Sequence, residues 1–212
     1  MLVLFGAGSV VISSALGSTV ALLFVAGVFG GTVAVVIFLL GKYSGAHINP
    51  AVTIAHALVK RIRMEQILPY LLFQGLGAIV AAFTLRIFFL NRPIFPADLG
   101  ATELAPGVVP ILGITYEAIG TFLLCSAALI ATFYVRNRVT QSALVGGTLF
   151  VLILLLGNLT GASFNPARSI GPALSSEHWS NLYVYLTGPF LGALLSAIPF
   201  RLIERRRAIR DT

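Results

Sequence analysis

The chain has 212 residues, of which 58% are hydrophobic and only 10% charged, with a mean hydropathy of +0.97. Soluble domains carry about a quarter of their residues as charges, so the composition argues against a water-soluble enzyme. The formal charge of +7, from 14 Lys and Arg against 7 Asp and Glu, would suggest nucleic acid only if the basic residues shared one face of a soluble module. Here they stand in short clusters between apolar runs.

A helix that crosses a bilayer takes about 20 apolar residues at about 1.5 Å each, and about six such segments fit the chain. In order, the runs cover residues 1–16, 18–40, 67–90, 109–135, 142–156 and 182–203. Residues 91–107 between the third and fourth runs are polar and proline-rich, the composition of an external loop. Two stretches, 49–58 and 165–174, are apolar or amphipathic but too short to cross. The expected architecture is all-α, with six spans and two re-entrant half-helices.

The basic clusters fall on one side of that arrangement: Lys42; Lys60, Arg61 and Arg63; Arg136 and Arg138; and Arg201, Arg205, Arg206, Arg207 and Arg210. The other side carries Asp98, Glu103 and Glu177, with only Arg86 and Arg92 near it. Positive residues concentrate on the cytoplasmic side, so both termini are expected there in a multi-pass cell-membrane protein. The first residues lack the positive region that opens a secretory signal. A single cysteine, Cys125, lies within an apolar run and reads as a small buried hydrophobe. No His or Cys residues fall at metal-ligand spacing, so neither a metal nor a cofactor is expected.

The two short stretches open alike. Ser44-Gly45-Ala46-His47-Ile48-Asn49-Pro50-Ala51 matches Thr160-Gly161-Ala162-Ser163-Phe164-Asn165-Pro166-Ala167, with the asparagines 116 positions apart. With three spans per half, the second copy is inverted relative to the first, a known architecture of transport proteins. The repeats cover about 1–90 and 109–203 of a single domain, and a basic tail, 204–212, follows.

Asparagine is a strong N-cap and proline is favoured at the next position, so Asn49-Pro50-Ala51 and Asn165-Pro166-Ala167 each start a short helix. The cap uses the side-chain oxygen and leaves the NH₂ free to donate. Two opposed half-helices would bring both N-termini together, each with about half a positive charge of helix dipole. Such a centre accepts a water or hydroxyl oxygen and repels cations. A water held by both amides donates only outward, which breaks proton hopping along a file.

These segments resemble the two signature segments of the aquaporin, or major intrinsic protein, family. Tyr116-Glu117-Ala118-Ile119-Gly120-Thr121-Phe122 is similar to the start of its fourth span, and Thr187-Gly188-Pro189-Phe190-Leu191-Gly192 to its sixth. The resemblance implies a homotetramer with one pore per subunit, and Gly188 and Gly192 permit close helix contact. It places Arg168 at the pore constriction, with Phe29, Ile153 and Ala162 completing the set. Independently, Arg168 is a charge in an apolar stretch, and burying it would require an aqueous path or a partner. The resemblance also makes Glu117, the only carboxylate in a span, an acceptor for the backbone of a re-entrant loop, and His47 a packed, hydrogen-bonded loop residue.

The constriction set lacks the histidine of the family's strict water channels. Ser169 stands where its glycerol facilitators usually carry aspartate. Ala173 and Tyr185 are similar to the water-channel branch and Leu186 to the solute-conducting one. The mixture resembles nodulin-intrinsic-like and archaeal-type members, and implies a passive channel for water and small neutral solutes such as glycerol or uncharged metalloid acids. A coupled secondary transporter shares the inverted-repeat logic, but Glu117 alone is thin support for coupling. An intramembrane serine protease would use Ser163 with His47 or His56 as base, and leaves the duplicated Asn-Pro-Ala unexplained.

Residues 2–9 are similar to the second half of the family's first span. The Glu and Gly-Thr-Phe expected before them, present in the second repeat as Glu117 and Gly120 to Phe122, do not precede Leu2. The first span is therefore expected to be short by roughly two to three turns, and the first half-helix loop to lack a supporting carboxylate.

Overall fold

The computed structural model describes residues 1–13, 16, 18–90 and 98–210, with side chains described through residue 203. The basic cluster at Arg205, Arg206, Arg207 and Arg210, the loop residues 91–97 with Arg92, and the tail end 211–212 lie outside the described side chains or residues. The described residues form α1 (Leu2–Ser13), α2 (Ser18–Ser44), α3 (Pro50–Leu58), α4 (Met64–Phe89), α5 (Pro110–Tyr134), α6 (Arg138–Thr160), α7 (Pro166–Ser176) and α8 (Leu182–Arg210).

Five of these helices (α2, α4, α5, α6 and α8) are long and apolar enough to cross a membrane. Their outward faces carry large bare hydrophobics such as Phe73, Ile87 and Leu155, as a lipid-facing surface requires. Helix α1 opens with a π-helical segment, Leu2–Ala7. At about 1.5 Å per residue it spans only about 18 Å, against a hydrocarbon core of about 30 Å.

Helices α3 and α7 are the expected half-helices. In the first, Asn49 accepts a hydrogen bond from the Ala51 amide and Pro50 starts the helix. In the second, Asn165 accepts from Ala167 and Arg168, and Pro166 starts the helix. Helix α6 is longer than the 142–156 run because both ends are held by local chemistry that hydropathy misses. Asn137 caps it from the Val139 and Thr140 amides, and Gly161 ends it in the left-handed region at φ 73°.

The packing repeats across the halves. Helix α1 packs on α4 as α5 packs on α8; half-helix α3 packs on α8 as α7 packs on α4; and α2 and α6, the equivalent middle spans, pack on each other. Each pairing maps onto another when the halves are exchanged, as an inverted repeat requires. At the α2–α6 crossing, a Cβ on Gly146 would lie 2.5 Å from the Gly30 carbonyl oxygen. The backbones touch there. Gly188 and Gly192 face α5 within the same chain: a Cβ on Gly192 would lie 2.3 Å from the Ala118 carbonyl oxygen. Their close helix contact is therefore internal.

The two loops that deliver the half-helices have matching backbones. Gly45, Ala46 and Ile48 have φ of 67°, 47° and 35°, and their counterparts Gly161, Ala162 and Phe164 have 73°, 45° and 52°. A β-branched residue such as Ile48 at positive φ is a genuine outlier. Strain of this kind persists only where the surroundings over-determine it and concentrates at functional sites.

Candidate functional site

The strained residues sit where the halves meet. The Asn49 side-chain amide donates to the Phe164 carbonyl at 2.8 Å, and the Asn165 amide donates to the Ile48 carbonyl at 3.0 Å. Each asparagine therefore caps its own half-helix and binds the loop of the other. The NH₂ group is thus not wholly free, as sequence reasoning had it. One of its two hydrogens goes to the opposite loop, because the positive-φ turns aim the Ile48 and Phe164 carbonyls across the interface.

Both asparagines border a cavity of about 240 Å³ whose wall includes Phe29, Val33, Leu149, His47 and His56. The wall is mostly apolar, with the amides of Asn49 and Asn165 among its few polar groups. Pro50, Ala51, Pro166 and Ala167 are buried behind the asparagines. A second cavity, of about 480 Å³, lies between α1, α2 and α4, and its wall includes Asn165, Ala167 and Arg168.

Arg168 is buried, its guanidinium 5.1 Å from the centre of the Phe29 ring, and its Nη1 donates to the Gly100 carbonyl at 2.8 Å. Cation and aromatic face attract one another at that range. Phe29, Ile153 and Ala162 belong to one buried cluster. Phe29 is on the wall of the smaller cavity and Arg168 on that of the larger, while Ile153 and Ala162 line neither. The structure thus brings Phe29 to Arg168, and places Phe29, Ile153 and Ala162 in one buried cluster.

Glu117 is 0% exposed, and both of its carboxylate oxygens accept hydrogen bonds. Oε1 accepts from Thr160 Oγ1 at 2.7 Å and from the Ser163 amide at 3.0 Å; Oε2 accepts from the Phe164 amide at 2.7 Å. These are the amides just before Asn165, so the carboxylate holds the second loop in its strained turn. Buried polar groups are expected to be paired in this way.

His47 lies between the cavities. Its Nδ1 is 3.4 Å from Thr53 Oγ1, and its ring packs 4.3 Å from His56 and 5.3 Å from Tyr70, centre to centre. The nearby Thr53 hydroxyl donates to the Asn49 carbonyl and accepts from Gln74. His56 is buried, its Nδ1 donates to the Val52 carbonyl at 2.9 Å, and its Nε2 lies 3.0 Å from Thr132 Oγ1. It faces both the cavity and α5. Cys125 is buried and free.

Sequence reasoning missed the Gly100 carbonyl, Thr102 and Ser163 as partners of this site. The Thr102 hydroxyl lies 2.8 Å from Ser169 Oγ, and Ser169 Oγ lies 2.6 Å from Ser163 Oγ. No local pattern announces such contacts, because Gly100 and Thr102 come from a segment that reads as a plain connector.

With this geometry in hand, the model of the family described as major intrinsic protein matches residues 1–200. The chain belongs to the major intrinsic protein family. The aquaporin NIP1-1 of Zea mays is 36% identical over 206 residues, covering 94% of this chain and 69% of that protein. The aquaporin AqpM of Methanothermobacter thermautotrophicus is 37% identical over 183 residues, covering 82% of this chain and 73% of that one. In fold, the chain is similar to the aquaglyceroporin from Plasmodium falciparum, with a TM-score of 0.85 and 24% identity over 94% of this chain and 90% of that one. As a major intrinsic protein it is a membrane channel for water and small solutes, and not an enzyme.

Proposed function

We propose that this major intrinsic protein is a passive channel that conducts water and small uncharged solutes, glycerol and undissociated metalloid acids among them, and excludes ions and protons. The observation that carries the reading is the reciprocal bonding of Asn49 and Asn165. It fixes two amides at the meeting point of two helix N-termini and leaves one N–H of each for a passing oxygen. Helix dipoles make that point positive, which disfavours cations, and a water accepting from both amides has its hydrogens turned outward.

Phe29, Ile153, Ala162 and Arg168 form the selectivity constriction in this reading. Three apolar walls and one fixed donor suit a solute with hydroxyls on one side and a hydrocarbon skeleton on the other. Glu117 and His47 support the loops that present the asparagines. The relatives support both branches, since they are named as aquaporins while the fold neighbour is an aquaglyceroporin.

The channel works as a homotetramer in the cell membrane, with both termini cytoplasmic. Lys42, Lys60, Arg61, Arg63, Arg136 and Arg138 support that orientation, because they cluster at the end of the bundle where α2 and α5 finish and α4 and α6 begin. Stopped-flow light scattering on proteoliposomes, with sucrose, glycerol and boric acid gradients in turn, tests the function. Fast water flux with a low activation energy, together with glycerol or boric acid entry that needs no ion gradient, is the expected result. Solute entry that requires an ion gradient would overturn it in favour of a coupled transporter.

A further inference from the structure

The hydroxyls of Thr102, Ser169 and Ser163 form a buried row, with relative exposures of 4%, 0% and 4%. Its direction follows from proton bookkeeping. Ser163 Oγ donates to the Asn165 carbonyl at 3.0 Å, which can only accept. A hydroxyl carries one hydrogen, so Ser163 must accept from Ser169 at 2.6 Å. Ser169 has then spent its hydrogen and must accept from Thr102 at 2.8 Å. The row runs one way, from the external segment to the backbone of the second asparagine.

The same external segment holds Arg168. The Gly100 carbonyl accepts from Arg168 Nη1 at 2.8 Å, two residues before Thr102. The segment is pressed against α1: Gly100 has φ 73°, and a Cβ there would lie 2.8 Å from the Ala7 carbonyl oxygen. Asp98 closes the turn by accepting from the Ala101 amide at 2.8 Å. Arg168 Nε is buried without an acceptor among the described residues, while the Gly100 carbonyl and the Phe29 face contact the guanidinium directly. Two successive residues of α7, Arg168 and Ser169, are thus gripped by two residues of one short segment.

We propose that Thr102 and Ser169 are positioning residues for solute selection. Their hydroxyl bond fixes the external segment, the segment fixes the Gly100 carbonyl, and the carbonyl sets where the Arg168 donors stand. Ser163 carries the same linkage on to Asn165. Loss of either hydroxyl frees the carbonyl, lets the guanidinium wander and widens what the constriction admits. The inference rests on the reading of Arg168 as a constriction residue.

The test compares Thr102→Val, Ser169→Ala, the double variant, Thr102→Ser and Arg168→Ala in proteoliposomes. The readout is the ratio of glycerol to water permeability, which does not depend on how much channel folds or inserts. Thr102→Val and Ser169→Ala are each expected to raise the ratio about threefold or more, the equivalent of one lost hydrogen bond. The double variant should match Ser169→Ala, which by itself already removes the Thr102–Ser169 bond, and Thr102→Ser should keep the parental ratio. A parental ratio in Thr102→Val and Ser169→Ala, alongside a raised one in Arg168→Ala, would overturn the positioning role and leave the constriction standing. Effects of the two singles that multiply in the double variant would also overturn it. A parental ratio in Arg168→Ala would instead overturn the constriction reading itself.

Discussion

Replacing Glu117 by glutamine exchanges one carboxylate oxygen for an NH₂ group and tests how the second loop is held. The carboxylate accepts three bonds through two oxygens, from Thr160 Oγ1, the Ser163 amide and the Phe164 amide. A glutamine has one acceptor oxygen. In the Oε1 position that oxygen keeps Thr160 and Ser163, and the new NH₂ then faces the Phe164 N–H, donor against donor. In the other orientation it keeps Phe164 and sets the NH₂ against Ser163. The milder case loses one charge-assisted bond, worth about 1.5–3 kcal/mol, and strands buried donors at about 1–3 kcal/mol more.

The sum is about 2.5–6 kcal/mol, and for a chain of this size each kcal/mol moves the midpoint by about 2–4 °C. Thermal unfolding of the detergent-solubilised channel should therefore show Glu117→Gln melting lower by at least about 5 °C. Water conduction per folded channel should fall too, because Phe164 presents the carbonyl that Asn49 binds. A variant that melts within about 1 °C of the parent, less than a single kcal/mol would move it, and conducts water at the parental rate would refute the supporting role.

Two further contrasts follow from neighbouring geometry. Gly146→Ala would place a methyl 2.5 Å from the Gly30 carbonyl oxygen, whereas Gly147→Ala meets nothing within 4 Å. The first should cost about 1–3 kcal/mol by forcing α2 and α6 apart, and the second should be neutral or raise the melting midpoint through better helix propensity; equal midpoints would contradict the packing argument. Asn165→Ala and Asn49→Ala should each lower stability by at least about 1 kcal/mol through the lost cap. Asn165→Ala should cost more, because its oxygen accepts from two amides and that of Asn49 from one. Melting curves and a dye-based cation-leak assay on the same proteoliposomes check both the order and the expected loss of exclusion.

Much of this molecule could be read from residues close in sequence. The half-helices were legible because their signals are local: an asparagine cap, a proline after it, and a run too short to cross. The inversion followed from an odd number of spans between two copies of the same words. Helix α6 was underestimated because its first turn, Arg138 to Gln141, is polar and depends on the Asn137 cap. Long-range geometry lay beyond such reading. The partner of the Asn49 amide is the carbonyl of Phe164, a group every residue possesses, and what singles it out is a turn held open by Glu117. Gly100 and Thr102 likewise matter through where the segment lies against α1 and α7, which no spacing within 98–102 encodes.

The exchange of bonds between the asparagines also bears on how the chain is made. Asn49 lies 115 residues before the carbonyl it binds, and ribosomes build from the N-terminus. For as long as the second half is unwritten, the first re-entrant loop lacks the Phe164 carbonyl that the Asn49 amide binds and the Asn165 amide that binds Ile48. The first half therefore enters the bilayer as an unfinished piece. The two asparagine bonds close only when the second half arrives upside down beside it. Biogenesis of the pore is in that sense a dimerisation in which both partners happen to share one polypeptide.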